Sequence, residues 1–206
     1  HFDIDVEDKP DYYNVSTIKI GALFDSEDEA YFPTEGRRIN LSLESTFLST
    51  PETIGFSKAV YYHRMNFSFG DHLVQPSFFF GFADETLPFP EFFSMGGQED
   101  FFGFREDEDR GRQKLRGSVK YRMKMPFKLF FDTYFSLRYD LGEVWRVPED
   151  IHFEDLKHGI GASVAFDTPV GPAKFSLGRG FYFLKNPEAI VWGPTRAYFR
   201  IGINLY

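Results

Sequence analysis

The sequence predicts an all-β fold, an antiparallel transmembrane β-barrel, and three observations lead to this prediction. Apolar and polar side chains alternate with a period of two, as they do in strands with one face in lipid and the other in water. Aromatic residues are abundant, with 27 Phe and 11 Tyr in 206 residues, although 26% of the residues are charged. No segment approaches the ~18 consecutive apolar residues of a membrane-spanning helix.

The clearest alternation lies in residues 114–125, where cationic or hydroxyl side chains occupy every second position. A helix would distribute these charges around its whole circumference. Residues 129–141 continue the period, with an apolar and aromatic face opposite a face that carries Asp132, Arg138 and Asp140. The two segments predict a hairpin that turns at 125–127.

Similar alternation predicts the remaining strands and their connections. The other predicted strands are 18–24, 39–47, 59–69, 73–82, 160–166, 173–183 and the segment from 197 to the end of the chain. Nine strands result, with a tenth at 2–6, in a single barrel domain over 1–206. Residues 168–172 predict a tight turn, whereas 89–111 and 147–158 predict long acidic loops at the opposite rim. Residues 148–156 have room for one helical turn.

A soluble β-sandwich is the alternative, because its strands also alternate and its length is similar. Two features favour the barrel. The apolar face is rich in Phe and Tyr, as expected for a lipid-facing band with aromatic girdles. The opposite face carries rows of Arg, Lys, Asp and Asn, which suit a hydrated lumen.

Composition excludes several other classes of protein. The chain contains no Cys, so it has neither disulfides nor thiolate metal sites. A net charge of −8 argues against a nucleic-acid partner, whose phosphates require clustered Lys and Arg. The chain opens at His1 without an initiator Met or a signal peptide, which indicates a fragment or a processed piece of a larger protein.

The candidate chemical sites are weak. The acidic run at 99–110 has two interpretations, a site for a hard cation or an ion-paired loop. The second is favoured, because arginines interrupt the run and calcium-loop spacing is missing. The histidines are too scattered for a metal site, and no Gly-x-Ser-x-Gly motif is present. We therefore expect no catalytic residue, metal or cofactor in this chain.

Four motifs in order resemble the C-terminal barrel of the bacterial surface antigen superfamily. This superfamily includes outer-membrane assembly factors, two-partner secretion transporters and barrel-bearing patatin-like phospholipases. The motifs are the Phe-Pro-Thr-Glu-Gly turn at 32–36 followed by a strand at 39–43, the Met-Gly-Gly segment at 95–97 followed by 101–111, the strand at 138–145 with its aspartate-x-glycine motif, and the last three strands, represented by 159–175 and 199–206. Together they span nearly the whole chain.

The resemblance implies that the long loop folds back into the lumen and is locked on the strand at Asp140. The candidate lock residues are Asp140, Gly142, Phe102, Gly103, Phe104, Arg105, Arg116, Arg122 and Arg138. Ordinary lumen lining is the alternative for Asp140. The last strand resembles the family's assembly signal, with candidate residues Phe199, Ile201, Gly202, Ile203, Leu205 and Tyr206.

Three departures from the family pattern limit what carries over. Phe102 stands where family members have an arginine, so either Arg105 reaches Asp140, or Phe102 packs on the wall while Asp140 pairs with a strand arginine such as Arg116 or Arg122. The second arrangement is favoured, and the form without arginine looks most like the patatin-linked subgroup. The terminal aromatic residue lies one position late, so Leu205 continues the outward face. The family barrel has sixteen strands, and this chain supplies nine.

The resemblance places the chain in the bacterial outer membrane, as an anchor or as a translocation or insertion scaffold without chemistry of its own. The expected partners are outer-membrane lipid, a periplasmic or passenger domain of the same protein, the barrel assembly machinery and, to close free strand edges, a second copy. A passive pore or solute-binding barrel is the alternative. An enzyme acting within the barrel is a third, weaker one.

Overall fold

The computed structural model describes residues 16–46, 55–185 and 188–202, and these residues form an all-β fold. The strands are β1 (Thr17–Asp25), β2 (Arg37–Thr46), β3 (Ser57–Met65), β4 (Phe67–Phe69), β5 (His72–Ala83), β6 (Phe93–Met95), β7 (Asp109–Gly111), β8 (Gln113–Lys124), β9 (Thr133–Trp145), β10 (Lys157–Thr168), β11 (Gly171–Lys185) and β12 (Glu188–Ile201). Among the described residues, helical structure is limited to 3-10 turns at Phe89–Glu91, Pro148–Asp150 and Phe153–Asp155. In the described ranges no helix has the length and apolar character to cross a membrane.

Nine long strands make one antiparallel sheet, and their order in the sheet is their order in the chain: β1-β2-β3-β5-β8-β9-β10-β11-β12. The short strand β4 follows β3 and pairs with β5, while β6 and β7 form a separate two-stranded ribbon. No pairing joins β1 to β12 in the described part of the chain. The wall of the barrel is therefore open between these two strands.

The alternation in the sequence separates the two faces of the sheet. On β9, Tyr134, Ser136, Arg138 and Asp140 are buried on the inner face, whereas the intervening Leu137 and Tyr139 are exposed on the outer face. On β8, Arg116 and Ser118 are buried and Val119 is exposed. Polar side chains thus face inward and large apolar side chains face outward, which is the reverse of a soluble domain and the arrangement of a membrane barrel.

The predicted strands are found, with two differences in their bounds. Residues 129–131 lie outside β9, because Phe130 has a φ of 69° and the connection between β8 and β9 takes eight residues, 125–132, instead of a tight turn at 125–127. The last strand begins at Glu188, before the predicted 197. A register shift opposite Gly180 interrupts its alternation near Gly193 and Pro194. The strand predicted at 2–6 lies outside the described residues.

The connections differ between the two rims. Residues 84–112 and 146–156 are long and lie at one rim, and the second contains two single 3-10 turns where one helical turn was predicted. The turns at 70–71 and 169–170 lie at the other rim, which for convenience is called the turn rim. The turn rim also carries the eleven residues 26–36, which fold inward over the ends of β8 and β9.

Two small apolar clusters lie inside the barrel. Phe56, Ala83, Leu87 and Phe93 pack together beneath the base of the 84–112 loop. At the turn rim, the ring of Phe32 stacks on that of Tyr134 with 4.2 Å between centroids. Each cluster fixes the entry of a loop, and the space between the clusters holds polar side chains.

Candidate functional site

The 84–112 loop enters the lumen as the β6–β7 ribbon and then forms a compact turn over residues 96–106. Gly96 and Gly97 have φ angles of 133° and 93°, which favour glycine. A Cβ on Gly96 would lie 1.8 Å from the Arg105 carbonyl oxygen. The Gly97 N–H donates to the Phe104 carbonyl at 3.2 Å and closes the base of the turn. The Gly-Gly motif is therefore a geometric requirement of this turn.

Asp140 is the centre of the contact between this turn and the wall. Its carboxylate is fully buried and accepts hydrogen bonds from the Phe102 N–H at 2.9 Å and the Arg138 Nε–H at 2.7 Å. The Arg138 guanidinium also donates to the backbone carbonyls of Gln98 and Asp100 and lies 4.4 Å from the centroid of the Phe102 ring. The pair thus holds the turn through its backbone and through the Phe102 ring.

Three further ionic contacts surround this centre. Asp100 accepts hydrogen bonds from Lys114 Nζ at 2.8 Å and from Arg116 Nη1 at 2.9 Å, both on β8. Glu99 pairs with Lys174 of β11 at 3.0 Å. Since Lys114 and Arg116 are buried, the two bonds to Asp100 lie in a region of low dielectric constant and resist screening by salt.

Glycines on the inner face make room for the aromatic side chains of the turn. A Cβ on Gly159 would lie 2.4 Å from the Phe102 carbonyl oxygen, and one on Gly161 would lie 2.7 Å from the Phe102 ring. On β11, a Cβ on Gly180 would lie 2.5 Å from the Phe104 ring. Together with Gly178 they form a smooth surface, called here the glycine stripe. The glycine stripe was not predicted, although its glycines are visible in the sequence two residues apart on one strand face.

The last strand also binds the turn, a contact that was not predicted from the sequence. The Tyr198 hydroxyl accepts from the Gly103 N–H at 3.0 Å and donates to the Phe104 carbonyl at 2.8 Å. Arg196 donates to the Gly103 carbonyl at 3.0 Å and pairs with Glu108 at 3.2 Å. Tyr198 and Arg196 lie on the inner face of β12 at the regular two-residue spacing, so the signal was their alternation with the outward residues.

The structure corrects the proposed partners of Asp140. Its partner is Arg138, two residues earlier on the same strand, whereas Arg116 binds Asp100. Arg105 is exposed, and its own N–H donates to the Glu108 carboxylate. Arg138 therefore supplies the guanidinium that the family resemblance places in the loop, while Phe102 packs beneath it.

Arg122 and Gly142 lie outside the contact with residues 96–106. Arg122 is buried at the turn rim, where it donates to the carbonyls of Phe32 at 2.9 Å and Pro33 at 2.6 Å. It thus holds the Phe-Pro turn, not the long loop. Gly142 allows close packing within the wall, since a Cβ there would lie 2.4 Å from the Leu115 carbonyl oxygen.

The 26–36 connection has a hydrogen-bond network of its own. The Asp28 carboxylate accepts from the Thr34 hydroxyl and from the N–H groups of Thr34 and Glu35, at 2.5–3.0 Å. Slight burial by itself would raise the pKa of Asp28, but these hydrogen bonds favour the ionised form and lower it from 3.8 to about 2. Glu27 binds Arg64 and Asn66 on the next hairpin.

The acidic run that follows the turn is largely paired with cations. Asp107 pairs with Arg110, and Asp109 pairs with Lys157, which also binds Glu143. Across the described ranges, no group of three or more His, Asp or Glu side chains is arranged to hold a metal ion. The run therefore has the ion-paired character that its interleaved arginines indicated.

The candidate assembly residues are partly described. Phe199 and Ile201 point outward and are 71% and 62% exposed, as lipid-facing residues of the last strand would be. Gly202 has a φ of 89°, and its N–H donates to the Pro172 carbonyl at 3.1 Å. Ile203, Leu205 and Tyr206 lie outside the described residues. Their role as a signal stays a prediction.

Comparisons with known proteins agree with this architecture. The Omp85 superfamily domain matches residues 4–204. The fold is similar to that in the crystal structure of BamA from Haemophilus ducreyi lacking POTRA domains 1–3, with a TM-score of 0.69 at 14% identity. The alignment covers 88% of this chain and 42% of the BamA chain. No curated protein matches the sequence.

Proposed function

This chain belongs to the Omp85 superfamily and lies in the bacterial outer membrane, and from that premise we propose that it is the barrel of a scaffold that inserts or translocates polypeptides. The observation that carries the proposal is the buried contact between residues 96–106 and five strands of the wall, β8 to β12, centred on Asp140. In the described part of the chain the contact covers the inner side of β8 to β12, so a wide water-filled channel along these strands would require the turn to move.

The contact suits a gate. It is built from many hydrogen bonds to the backbone of the turn, donated by side chains of the wall at Arg138, Arg116 and Arg196. Such bonds depend on the backbone conformation of the turn, and they break together when the turn leaves the glycine stripe. A polypeptide would then pass through, or be guided along, the space that the turn vacates.

Planar-bilayer conductance separates this function from a passive pore. We expect the protein to conduct little and erratically, because the turn blocks the lumen in most molecules. A Cβ on Gly178 would lie 3.2 Å from the Phe102 Cβ, within a few tenths of an ångström of the spacing in a disulfide, so Phe102→Cys with Gly178→Cys offers a disulfide that holds the turn in place. Oxidation of this variant should abolish the remaining openings, and reduction should restore them. A steady anion-selective current that survives oxidation would favour the passive pore instead.

A patatin-linked arrangement is a finer proposal for the full-length protein. It rests on the Phe102-Gly103-Phe104 form of the turn, in which the usual loop arginine is replaced. In this proposal the barrel anchors or exports an N-terminal hydrolase, and the lipase activity belongs to that domain. Lipase assays on the full-length protein and on the barrel alone test it, and activity that persists in the isolated barrel would contradict it.

A further inference from the structure

One cation of the wall faces the membrane. Arg179 lies on β11 between Gly178 and Gly180, which both face the turn. Because side chains alternate along a strand, Arg179 points outward, where Leu177 on the same face is 46% exposed. Charged residues on the lipid-facing surface of a barrel are unfavourable, so Arg179 needs a compensating partner there.

The described part of the chain gives Arg179 no carboxylate partner within 4.0 Å. Its Nε–H donates to the Gly193 carbonyl at 2.8 Å, which satisfies an acceptor beside the register shift of β12. The guanidinium lies over the ring of Trp192, 5.1 Å from its centroid. These contacts orient the side chain, but they leave its positive charge uncompensated by any described residue.

Arg179 stands at one end of an apolar groove on the outer face, with a volume of about 590 Å³. Two rows of cross-strand neighbours line the groove. The first row is Tyr121, Leu137, Ala162 and Leu177, and the second is Val119, Tyr139, Ile160, Arg179 and Thr195. Ala162 is the smallest side chain of the first row and lies between two leucines, so it forms the floor.

Aromatic side chains mark the level of Arg179 in the membrane. Phe181 stacks on His158 with 4.8 Å between ring centroids and packs against Trp192 at 4.5 Å. The Tyr139 hydroxyl is 2.6 Å from His158 Nδ1. Clusters of Tyr, Trp and His with a polar end lie where acyl chains meet headgroups. Arg179 lies two positions farther from the long-loop rim than Phe181, but its long side chain extends over Trp192 towards this cluster, so the guanidinium reaches towards headgroup level beside the groove.

We propose that this groove binds one anionic membrane lipid, whose phosphate contacts Arg179 and whose acyl chain lies over Ala162. The guanidinium nitrogens that do not bind Gly193 are suited to paired phosphate oxygens. A zwitterionic headgroup fits less well, because the described residues around the groove offer its ammonium group no carboxylate beside Arg179. The site lies on the outer face of the wall and is independent of the proposed gate in the lumen.

The test is lipid retention by the purified full chain in detergent micelles. Phosphatidylglycerol or phosphatidylethanolamine is added at equal concentration, and bound lipid is counted by native mass spectrometry. We expect one retained phosphatidylglycerol, and weaker binding by about tenfold in Arg179→Gln, the size of one charge-assisted contact. Ala162→Phe keeps the charge of Arg179 but fills the floor of the groove, and this variant should also lose the bound lipid. The matched control is Arg146→Gln, which removes an exposed cation from the 146–156 connection and should retain it.

Three outcomes would overturn the proposal. Equal retention of the two lipids by the wild-type chain would remove the need for an anionic headgroup. Equal losses in Arg179→Gln and Arg146→Gln would indicate a general effect of net charge. Retention in Ala162→Phe would show that the groove takes no acyl chain.

Discussion

Asp140 and Arg138 form the contact on which the docked turn depends. Both side chains are buried, and the carboxylate also accepts the Phe102 N–H. A buried pair adds little net stability compared with well-packed apolar side chains, but the loss of one partner leaves a charge stranded. The pair therefore serves to fix the position of the turn, since only one placement of the turn satisfies the hydrogen bonds of both side chains.

Asp140→Ala is expected to destabilise the folded barrel by about 3 kcal/mol, because Arg138 would be left as an uncompensated buried cation. Replacing both residues, in Arg138→Met with Asp140→Leu, should cost less than the single change. Urea unfolding followed by heat-modifiability on gels measures these differences. Arg105→Ala is the matched control, and its exposed side chain should contribute under about 1 kcal/mol. A larger loss in Arg105→Ala would make Arg105 the anchor of the turn.

Asp28 is expected to make the 26–36 connection sensitive to acid. Its pKa of about 2 in the folded chain lies below the ordinary value of 3.8, so the folded state favours the ionised form. The contribution is complete above about pH 4 and is lost as the pH falls towards 2. Asp28→Asn should therefore loosen the connection at pH 7 and have little effect at pH 2. Carboxyl chemical shifts give the pKa directly, and a midpoint near 4 would contradict the network described.

At the scale of elements, the strands were predictable and the partners of the loop were not. The two-residue period fixes which face each strand side chain occupies, so Arg138 and Asp140 were placed on the right face. It does not fix which cation meets which carboxylate, because that depends on the stagger of neighbouring strands. Arg122 and Arg138 lie on the same face of adjacent strands, yet Arg122 meets the Phe32 turn at the turn rim.

Irregular positions account for the errors in strand bounds. Pro194 and Gly193 break the alternation of β12, and a shift of register around them keeps Trp192 and Thr195 on the same face. The left-handed φ of Phe130 could not be predicted from the alternation of side chains, because aromatic residues rarely adopt this conformation. Bulges and strained turns follow from long-range packing, so a periodic pattern predicts a strand that is too long or too short at these points.

The glycine stripe leads to a prediction for the element that it supports. Gly159→Ala would place a Cβ 2.4 Å from the Phe102 carbonyl oxygen, so the turn should lift from β10. Trypsin should then cleave after Arg105 about tenfold faster, as expected if docking weakens by roughly 1.4 kcal/mol. Gly117→Ala on β8 is the control, since its Cβ would meet nothing closer than 3.9 Å. Equal cleavage in the two variants would mean that the stripe does not hold the turn.

At the scale of the whole molecule, the arrangement of faces predicts which side chains meet lipid. Val119 and Lys120 are neighbours on β8, with Val119 outward and 48% exposed and Lys120 lining the charged inner cavity. Spin labels at the two positions should differ, with oxygen reaching the first and a water-soluble nickel chelate reaching the second. Equal accessibility to the chelate at both positions would indicate a soluble sandwich.

The number of strands restricts how the wall can close. The sheet has nine long strands, and each runs antiparallel to the next. The first and the last, β1 and β12, therefore run in the same direction, so these two edge strands could pair only in parallel. Bacterial single-chain barrels have even numbers of antiparallel strands. Unpaired edges in lipid cost several kcal/mol for each unsatisfied backbone group, so an odd number of further strands is expected between them. Direct pairing of β1 with β12 of a second copy would also be parallel, and it is therefore not expected.

Cysteine crosslinking tests this closure, because the chain has no cysteine of its own. Ala22 of β1 and Leu41 of β2 are cross-strand partners, so Ala22→Cys with Leu41→Cys should form an intramolecular disulfide in the membrane. Ala22→Cys with Ala197→Cys of β12 should not, within a chain or between two chains, because intervening strands hold these edges apart. Strands lie about 4.8 Å from their neighbours, so even one inserted strand places the two sulfurs beyond bonding distance. Oxidised monomer from the second pair would show a direct parallel seam, and oxidised dimer would show that two copies share one wall.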